Sequence, residues 1–325
     1  MQVLITGAGG FVGSHLVDFL RRREPRARIH GVLKPGSTPL LGSWEDVSAI
    51  EADLEDAAAA EAAVAAARPD RIVHLAAQSS VQQSWRDPAG TWRANVMGLL
   101  NLLEAVRRLS LSPRILVVGS SDEYGRVDPE ALPIREDAPL RPHSPYAASK
   151  AAQGYLALQY ALGHHLGIVR TRTFPHTGPG RGAAFAESSF ARQVAEIAAG
   201  RARPVVRVGN LEVVRDFTDV RDVVRAYWAL LDKAEAGSVF NVCSGKGVRL
   251  RELLETLCAL GGVEVEVVVD ADRLRPTDVS ALIGDSTRLR RVTGWEPEIP
   301  IERTLGDLLA DWRERVAAPV SDDLR

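Results

Sequence analysis

Tyr146 and Lys150 are the residues of this chain whose types and spacing most directly suggest chemistry. They stand one helical turn apart, so a helix puts both side chains on one face. An ammonium that close favours the phenolate and is expected to lower the tyrosine from its ordinary pKa of about 10. A phenol titrating nearer neutrality can donate or remove a proton beside a reacting carbonyl. Ser120 and Ser121 are further candidates. They follow the apolar run Arg114-Ile-Leu-Val-Val118, and open α/β sheets bind ligands at the C-terminal ends of their strands.

The elements that must position these residues begin at the N-terminus. Gln2–Thr6 is a short apolar run, Gly7-Ala-Gly-Gly10-Phe11-Val12-Gly13 follows, and Ser14–Arg21 continues with apolar residues at helical spacing. This reads as strand, glycine turn and helix. Such a turn lets backbone N–H groups approach a pyrophosphate at a helix N-terminus, where the dipole favours anions. The spacing is G-x-x-G-x-x-G. The second strand, Ile29–Leu33, ends at Lys34, where an NAD site usually carries an acidic residue. A lysine there suits a 2′-phosphate, so NADP(H) is favoured and NAD(H) is the alternative; a merely solvated Lys34 is the other reading.

With 325 residues the chain can bury an ample core. A net charge of −2 gives no electrostatic case for nucleic acid or membrane as a partner. No apolar run reaches membrane-span length and nothing resembles a signal peptide, so a cytoplasmic protein is expected. The cysteines, Cys243 and Cys258, lie in no ligand-like cluster and read as small hydrophobes, with no metal site expected.

Strand and helix alternate through the first half, which predicts an α/β fold, a Rossmann-type doubly wound parallel sheet. Helices are expected over 57–68, 90–109 and from Tyr146 onward, and the segment 119–125 is read as extended. The alanine-rich helix 57–68 is expected to face solvent. Beyond Pro175 the pattern loosens, and a smaller, discontinuous C-terminal lobe is expected to bind substrate. The division is 1–174 for the dinucleotide and mainly 175–325 for the substrate, with the strand near 238–242 returning to the first part.

Together these segments resemble the extended short-chain dehydrogenase/reductase family, also called the NAD-dependent epimerase/dehydratase family, over nearly the whole chain. The matches are the Gly7–Gly13 turn, Asp53-Leu54, Leu75-Ala76-Ala77, Asn95, the serine pair before Tyr124-Gly125, and Tyr146 with Lys150. The resemblance implies that Gly7, Gly10, Phe11, Val12 and Gly13 hold the pyrophosphate. Asp53 and Leu54 would contact the adenine, and Leu75, Ala76, Ala77 and Asn95 the cofactor cleft. Tyr146 would be the acid/base, Lys150 would hold the nicotinamide ribose and lower the tyrosine, and Ser120 would bond the substrate carbonyl, with Ser121 the less favoured candidate. Ser79 and Asp122 join Ser120 and Ser121 as implied substrate contacts. The family often dimerises through the 90–109 helix and the Tyr146 helix, which implies a homodimer.

The second half looks like the enzymes acting on GDP-mannose derivatives, in segments such as Arg172–Gly180, Arg215–Asp222 and Arg273–Asp278. Guanidinium groups bind phosphate bidentately, so Arg215 and Arg275 are candidates for the diphosphate of a GDP-sugar, with a structural salt bridge as the alternative for each. One departure is Phe174-Pro175-His176, where the family has an asparagine in place of Pro175. A second separates two activities. The 4,6-dehydratases use a glutamate two residues before the tyrosine of the Tyr-Gly pair to take the C5 proton. Asp122 stands there, and Glu123 is one position late. The resemblance therefore implies NADPH-dependent reduction of the C4 ketone of GDP-4-keto-6-deoxy-mannose to a GDP-6-deoxyhexose such as GDP-rhamnose. GDP-mannose 4,6-dehydration is the alternative. Another nucleotide-sugar epimerase and a catalytically silent dinucleotide-binding scaffold are weaker ones.

Overall fold

The computed structural model describes residues 1–40, 42, 44–273 and 279–318. The first half runs β1 (Gln2–Thr6), α1 (Phe11–Arg23), β2 (Arg28–Leu33), β3 (Val47–Glu51), α2 (Ala57–Ala67), β4 (Arg71–His74), α3 (Val81–Arg86), α4 (Pro88–Trp92), α5 (Gly98–Arg108), β5 (Arg114–Ser120), α6 (Pro145–Gly163) and β6 (Gly167–Thr173). The second half runs β7 (His176–Thr177), α7 (Ala186–Ala198), β8 (Val205–Val208), β9 (Val214–Asp216), β10 (Thr218–Asp219), α8 (Val220–Lys233), β11 (Val239–Val242), β12 (Gly247–Arg249), α9 (Leu250–Gly261), β13 (Glu266–Val269), β14 (Ala281–Leu282), α10 (Thr287–Thr293) and α11 (Ile301–Ala317).

Seven parallel strands form one sheet in the order β11-β6-β5-β4-β1-β2-β3. Side chains alternate between its faces, as strand geometry requires. Val3, Ile5, Leu116 and Val169 pack on one face with α1 and α8, while Leu4, Ile72, Ile115 and Ile168 pack on the other with α2, α5 and α6. The chain order reverses between β1 and β4, so the crevice for a ligand opens at their C-terminal ends. β11 pairs with β6, so the 239–242 strand extends the large sheet from the far half of the chain. α8 and Leu289 of α10 also pack on that sheet. A separate core gathers α7, α9 and α11 around Val206, Val208, Leu253, Leu257 and Leu308.

Two expectations are corrected and a third is narrowed. The 90–109 helix is interrupted: α4 passes through a π-helical stretch, Arg93–Met97, into α5. Such stretches recur at functional sites, and this one contains Asn95. The 119–125 segment is not extended throughout; Ser121–Tyr124 form a 3-10 helix, stabilised where Glu123 Oε1 accepts from Ser120 N (2.8 Å) and Ser120 Oγ accepts from Asp122 N (3.2 Å). Finally, α2 faces solvent on one side only, with Ala57, Ala58, Ala62, Ala65 and Ala66 exposed. Ala60, Ala63, Val64 and Ala67 are buried, because a row of small side chains lets it pack closely on the sheet and α5.

Candidate active site

The cofactor end of the crevice is shaped by backbone. Gly7 has φ +68°, and a Cβ there would lie 2.8 Å from Ala76 N. A Cβ on Gly13 would lie 2.4 Å from Gly7 O. Both positions therefore require glycine, and the turn sits against the end of β4. Thr6 Oγ1 ties the two strands by pairing with His74 Nδ1 (2.8 Å) and accepting from Ala76 N (3.2 Å). Gly10 precedes α1 with no side-chain cap, so the N–H groups of Phe11, Val12 and Gly13 are the ones available to an anion. The donors and the close backbone approach fit a dinucleotide pyrophosphate.

Lys34 and Asp53 meet at the end of the second strand. Their side chains form an ion pair of 3.8 Å, with Lys34 72% exposed. Leu54 is buried and its carbonyl accepts from Asn101 Nδ2 (2.8 Å). Leu75, Ala76 and Ala77 are half-buried beyond β4, and Ser79 is exposed. Asn95 is fully buried. Its amide accepts from Gln78 N (2.8 Å) and donates to Gln78 O (3.1 Å) and Ser149 Oγ (2.9 Å). Ser149 Oγ in turn donates to Tyr146 O (2.7 Å). Asn95 thus couples the loop after β4 to the helix that carries Tyr146 and Lys150.

α6 begins at Ser144, whose hydroxyl accepts from Ala147 N (3.1 Å), and Pro145 occupies its first turn. This places Tyr146 within the first turn, where its hydroxyl hydrogen-bonds Ser120. The structure therefore brings Ser120 and Tyr146 together. Ser121 is buried. The Tyr146 pKa lies above its ordinary value, because burial and the charge of Asp122 outweigh the Ser120 hydrogen bond. The expected lowering by Lys150 is not met. Lys150 Nζ donates instead to Val118 O (2.7 Å) and Gln153 Oε1 (2.6 Å). Burial pulls the Lys150 pKa down, and Glu123 opposes it.

Glu123 turns away from Tyr146. Its Oε2 is 3.2 Å from Arg172 Nε, and both side chains are buried. Arg172 also donates to Tyr124 OH (3.1 Å) and Glu136 O (2.8 Å). Tyr124 OH donates to Asn241 Oδ1 (2.6 Å). A 3-10 helix rotates successive side chains by about a third of a turn, which is enough to send Asp122 and Glu123 to different sides.

Arg181, which the sequence reading did not single out, is half-buried beside the site. Its guanidinium lies 4.9 Å from the Phe11 ring centroid and 3.4 Å from that of Phe185. Its charge favours the Tyr146 phenolate. His176 stacks on Phe11 at 6.1 Å and is pushed down to about 4, first by burial and then by Arg181. The basic residue closing Gly178-Pro-Gly-Arg181 was the available signal. Arg215 is half-buried on β9 and donates to Val214 O (2.8 Å). The neighbouring Asp216 carboxylate anchors the strand by accepting from Ser244 N, Gly245 N and Gly284 N. Arg275 lies outside the described residues. Among the described residues no group of His, Cys, Asp or Glu side chains is arranged to hold a metal ion, and no helix is long and apolar enough to cross a membrane.

The family model described as GDP-mannose 4,6 dehydratase matches residues 4–308. The GDP-6-deoxy-D-mannose reductase of Pseudomonas aeruginosa is 37% identical over 97% of this chain and 98% of its own. The GDP-mannose 4,6-dehydratase of Yersinia enterocolitica is 28% identical over 95% and 93%. Among solved structures, RMD from Pseudomonas aeruginosa complexed with NADPH superposes with a TM-score of 0.84 at 37% identity, covering 97% of this chain and all (100%) of that one. The UDP-glucose 4-epimerase of Thermotoga maritima with UDP-glucose gives a TM-score of 0.87 at 29% identity, over 97% and 100%.

Proposed function

This chain belongs to the GDP-mannose 4,6-dehydratase family, and we propose that within it the protein is a reductase of GDP-4-keto-6-deoxy-mannose. The observation that carries the reading is the orientation of the two carboxyls after β5. A dehydratase needs a base that reaches the C5 proton. Glu123 is held by Ser120 N and Arg172, away from Tyr146. Asp122, on the side of Tyr146, is one methylene shorter than the glutamate that the other activity employs, and general-base geometry tolerates little error.

A reductase needs less. Bound NADPH supplies hydride to C4. Ser120 holds the ketone oxygen and Tyr146 gives it a proton. A tyrosine above its ordinary pKa is protonated at neutral pH, the form a general acid must start from. Lys150 would orient the nicotinamide ribose, the first-turn amides of α1 would receive the pyrophosphate, and Lys34 would meet the 2′-phosphate. NADPH in the Pseudomonas aeruginosa RMD structure supports that choice, and NADH is the weaker alternative. Residues 1–174 serve the dinucleotide and 175–325 mainly the GDP-sugar, with Arg215 and Arg275 on its diphosphate.

The protein is proposed to act in the cytoplasm as a homodimer. Trp85, Trp92, Met97 and Tyr155 are exposed at 58%, 45%, 40% and 62% along α3, α4, the π-helical stretch and α6, an apolar surface that a second copy would cover. The test of function is to add GDP-4-keto-6-deoxy-mannose to enzyme and NADPH. One NADPH should be oxidised per sugar reduced; no oxidation of NADPH or NADH would exclude the reductase.

A further inference from the structure

Lys150 and Gln153 are both buried in α6, at 4% and 1% exposure. Lys150 Nζ donates to Val118 O at 2.7 Å and to Gln153 Oε1 at 2.6 Å. An ammonium has donors alone, so the amide must present its oxygen to Nζ and its nitrogen away from it. Gln153 Nε2 and Arg170 Nε then have no acceptor within the protein. Both residues line one small cavity with Glu123 and Arg172, whose other walls include Val117, Leu140 and Val239.

We propose that Gln153 is a positioning residue, whose carbonyl oxygen fixes the Lys150 ammonium over Val118 and keeps it charged. The catalytic consequence rests on the role given to Lys150 above, while the contact does not. Without Gln153 the buried charge would keep one backbone acceptor and would be more easily lost. The charged and titratable groups facing Lys150 come from several elements. They are Glu123 from the turn after β5 and His74 at the end of β4, with Arg172 of β6 paired to Glu123, Arg170 of β6 lining the cavity beside Gln153, and Tyr146 one turn earlier on α6. The arginines stay cationic. His74 is held neutral by burial, at about 3. Neither can mimic a titration of Lys150 near or above neutrality.

The lysines of the chain are Lys34, Lys150, Lys233 and Lys246, so lysine isotope-labelled at Cε gives a spectrum simple enough to follow one residue. The Lys150 signal is the one absent from Lys150→Arg. Its midpoint is measured by NMR titration in the native protein, Gln153→Met and the near-isosteric Gln153→Glu. Loss of a hydrogen bond to a charge should lower the midpoint by about one unit or more in Gln153→Met. A carboxylate in contact should raise it by about one to three units in Gln153→Glu. The opposite signs separate positioning from general damage, and the Glu variant suffices if the Met variant does not fold. Midpoints unchanged in the folded variants would overturn the proposal. NADPH affinity at neutral pH is measured alongside and should fall about tenfold in Gln153→Met, the equivalent of one lost hydrogen bond. Midpoints that move while affinity stays level would uphold the contact and overturn the cofactor role of Lys150.

Discussion

Glu123→Gln separates structure from chemistry in this site. Glu123 Oε1 accepts from Ser120 N at 2.8 Å, and Oε2 lies 3.2 Å from Arg172 Nε. The two side chains are 3% and 10% exposed, so solvent screens the pair little. Removing one partner of a buried pair commonly costs about 3–5 kcal/mol. Gln retains an acceptor for Ser120 N, and Arg172 retains Tyr124 OH, Glu136 O and the Tyr124 ring, 4.9 Å away. The expected cost is therefore about 2–3 kcal/mol, just below that range. For a chain of 325 residues that lowers Tm by roughly 3–4 °C. Turnover per folded molecule should stay within about tenfold of the native enzyme, since no reacting atom meets Glu123. Urea and thermal unfolding report the first quantity, and steady-state NADPH oxidation below the transition reports the second. Unchanged stability together with a turnover loss beyond about a hundredfold, the scale of a lost general base, would refute the structural role and make Glu123 a base.

Tyr146→Phe removes the proposed acid and should lower turnover by about 10²–10⁴ with cofactor affinity nearly unchanged; near-normal turnover would remove Tyr146 from the mechanism. Lys34→Ala should weaken NADPH about tenfold and leave NADH unaffected, as expected for one charge-assisted contact, and calorimetry showing equal affinities in both proteins would make Lys34 a bystander. Acid should destabilise the fold. Burial pushes the folded pKa values of His74 and His176 down to about 3 and about 4, below the ordinary 6.5. The unfolded chain then binds more protons, so stability is complete above pH 6.5 and falls as pH drops through that value towards the folded values. Each histidine contributes about 1.4 kcal/mol per pH unit well inside that window. Urea midpoints that stay level from neutral pH to about one unit below the unfolded histidine pKa would contradict this assignment.

The large sheet was legible because hydrophobic runs alternate with helical stripes and glycine stands where only glycine fits, at Gly7 and Gly13. Tyr146 and Lys150 were legible as a spacing. Their electrostatics were not, since Lys150 is oriented by Val118 and Gln153, and burial raises the tyrosine. The one-residue offset of Glu123 was legible, and in the 3-10 helix that offset still turns it to a different side from Asp122. Asn95 was found as a residue but not as a clamp, which depends on a π-helical stretch that periodicity does not reveal. Arg181 was passed over because its importance arises from Phe11, distant in sequence. The short strands of the second half, such as β7 and β10 with two residues each, are too brief to leave a pattern.

The central claim is reduction rather than dehydration, and one measurement addresses it directly. GDP-mannose is supplied alone with the protein and NADP⁺ in deuterated water, and the sugar product is followed by NMR and mass. The account predicts no 4-keto sugar and no deuterium at C5, while the same preparation reduces GDP-4-keto-6-deoxy-mannose with stoichiometric NADPH. Formation of the 4-keto sugar labelled at C5, at about 1 s⁻¹ or faster as for an ordinary enzymatic turnover, would contradict it and make Asp122 a competent base.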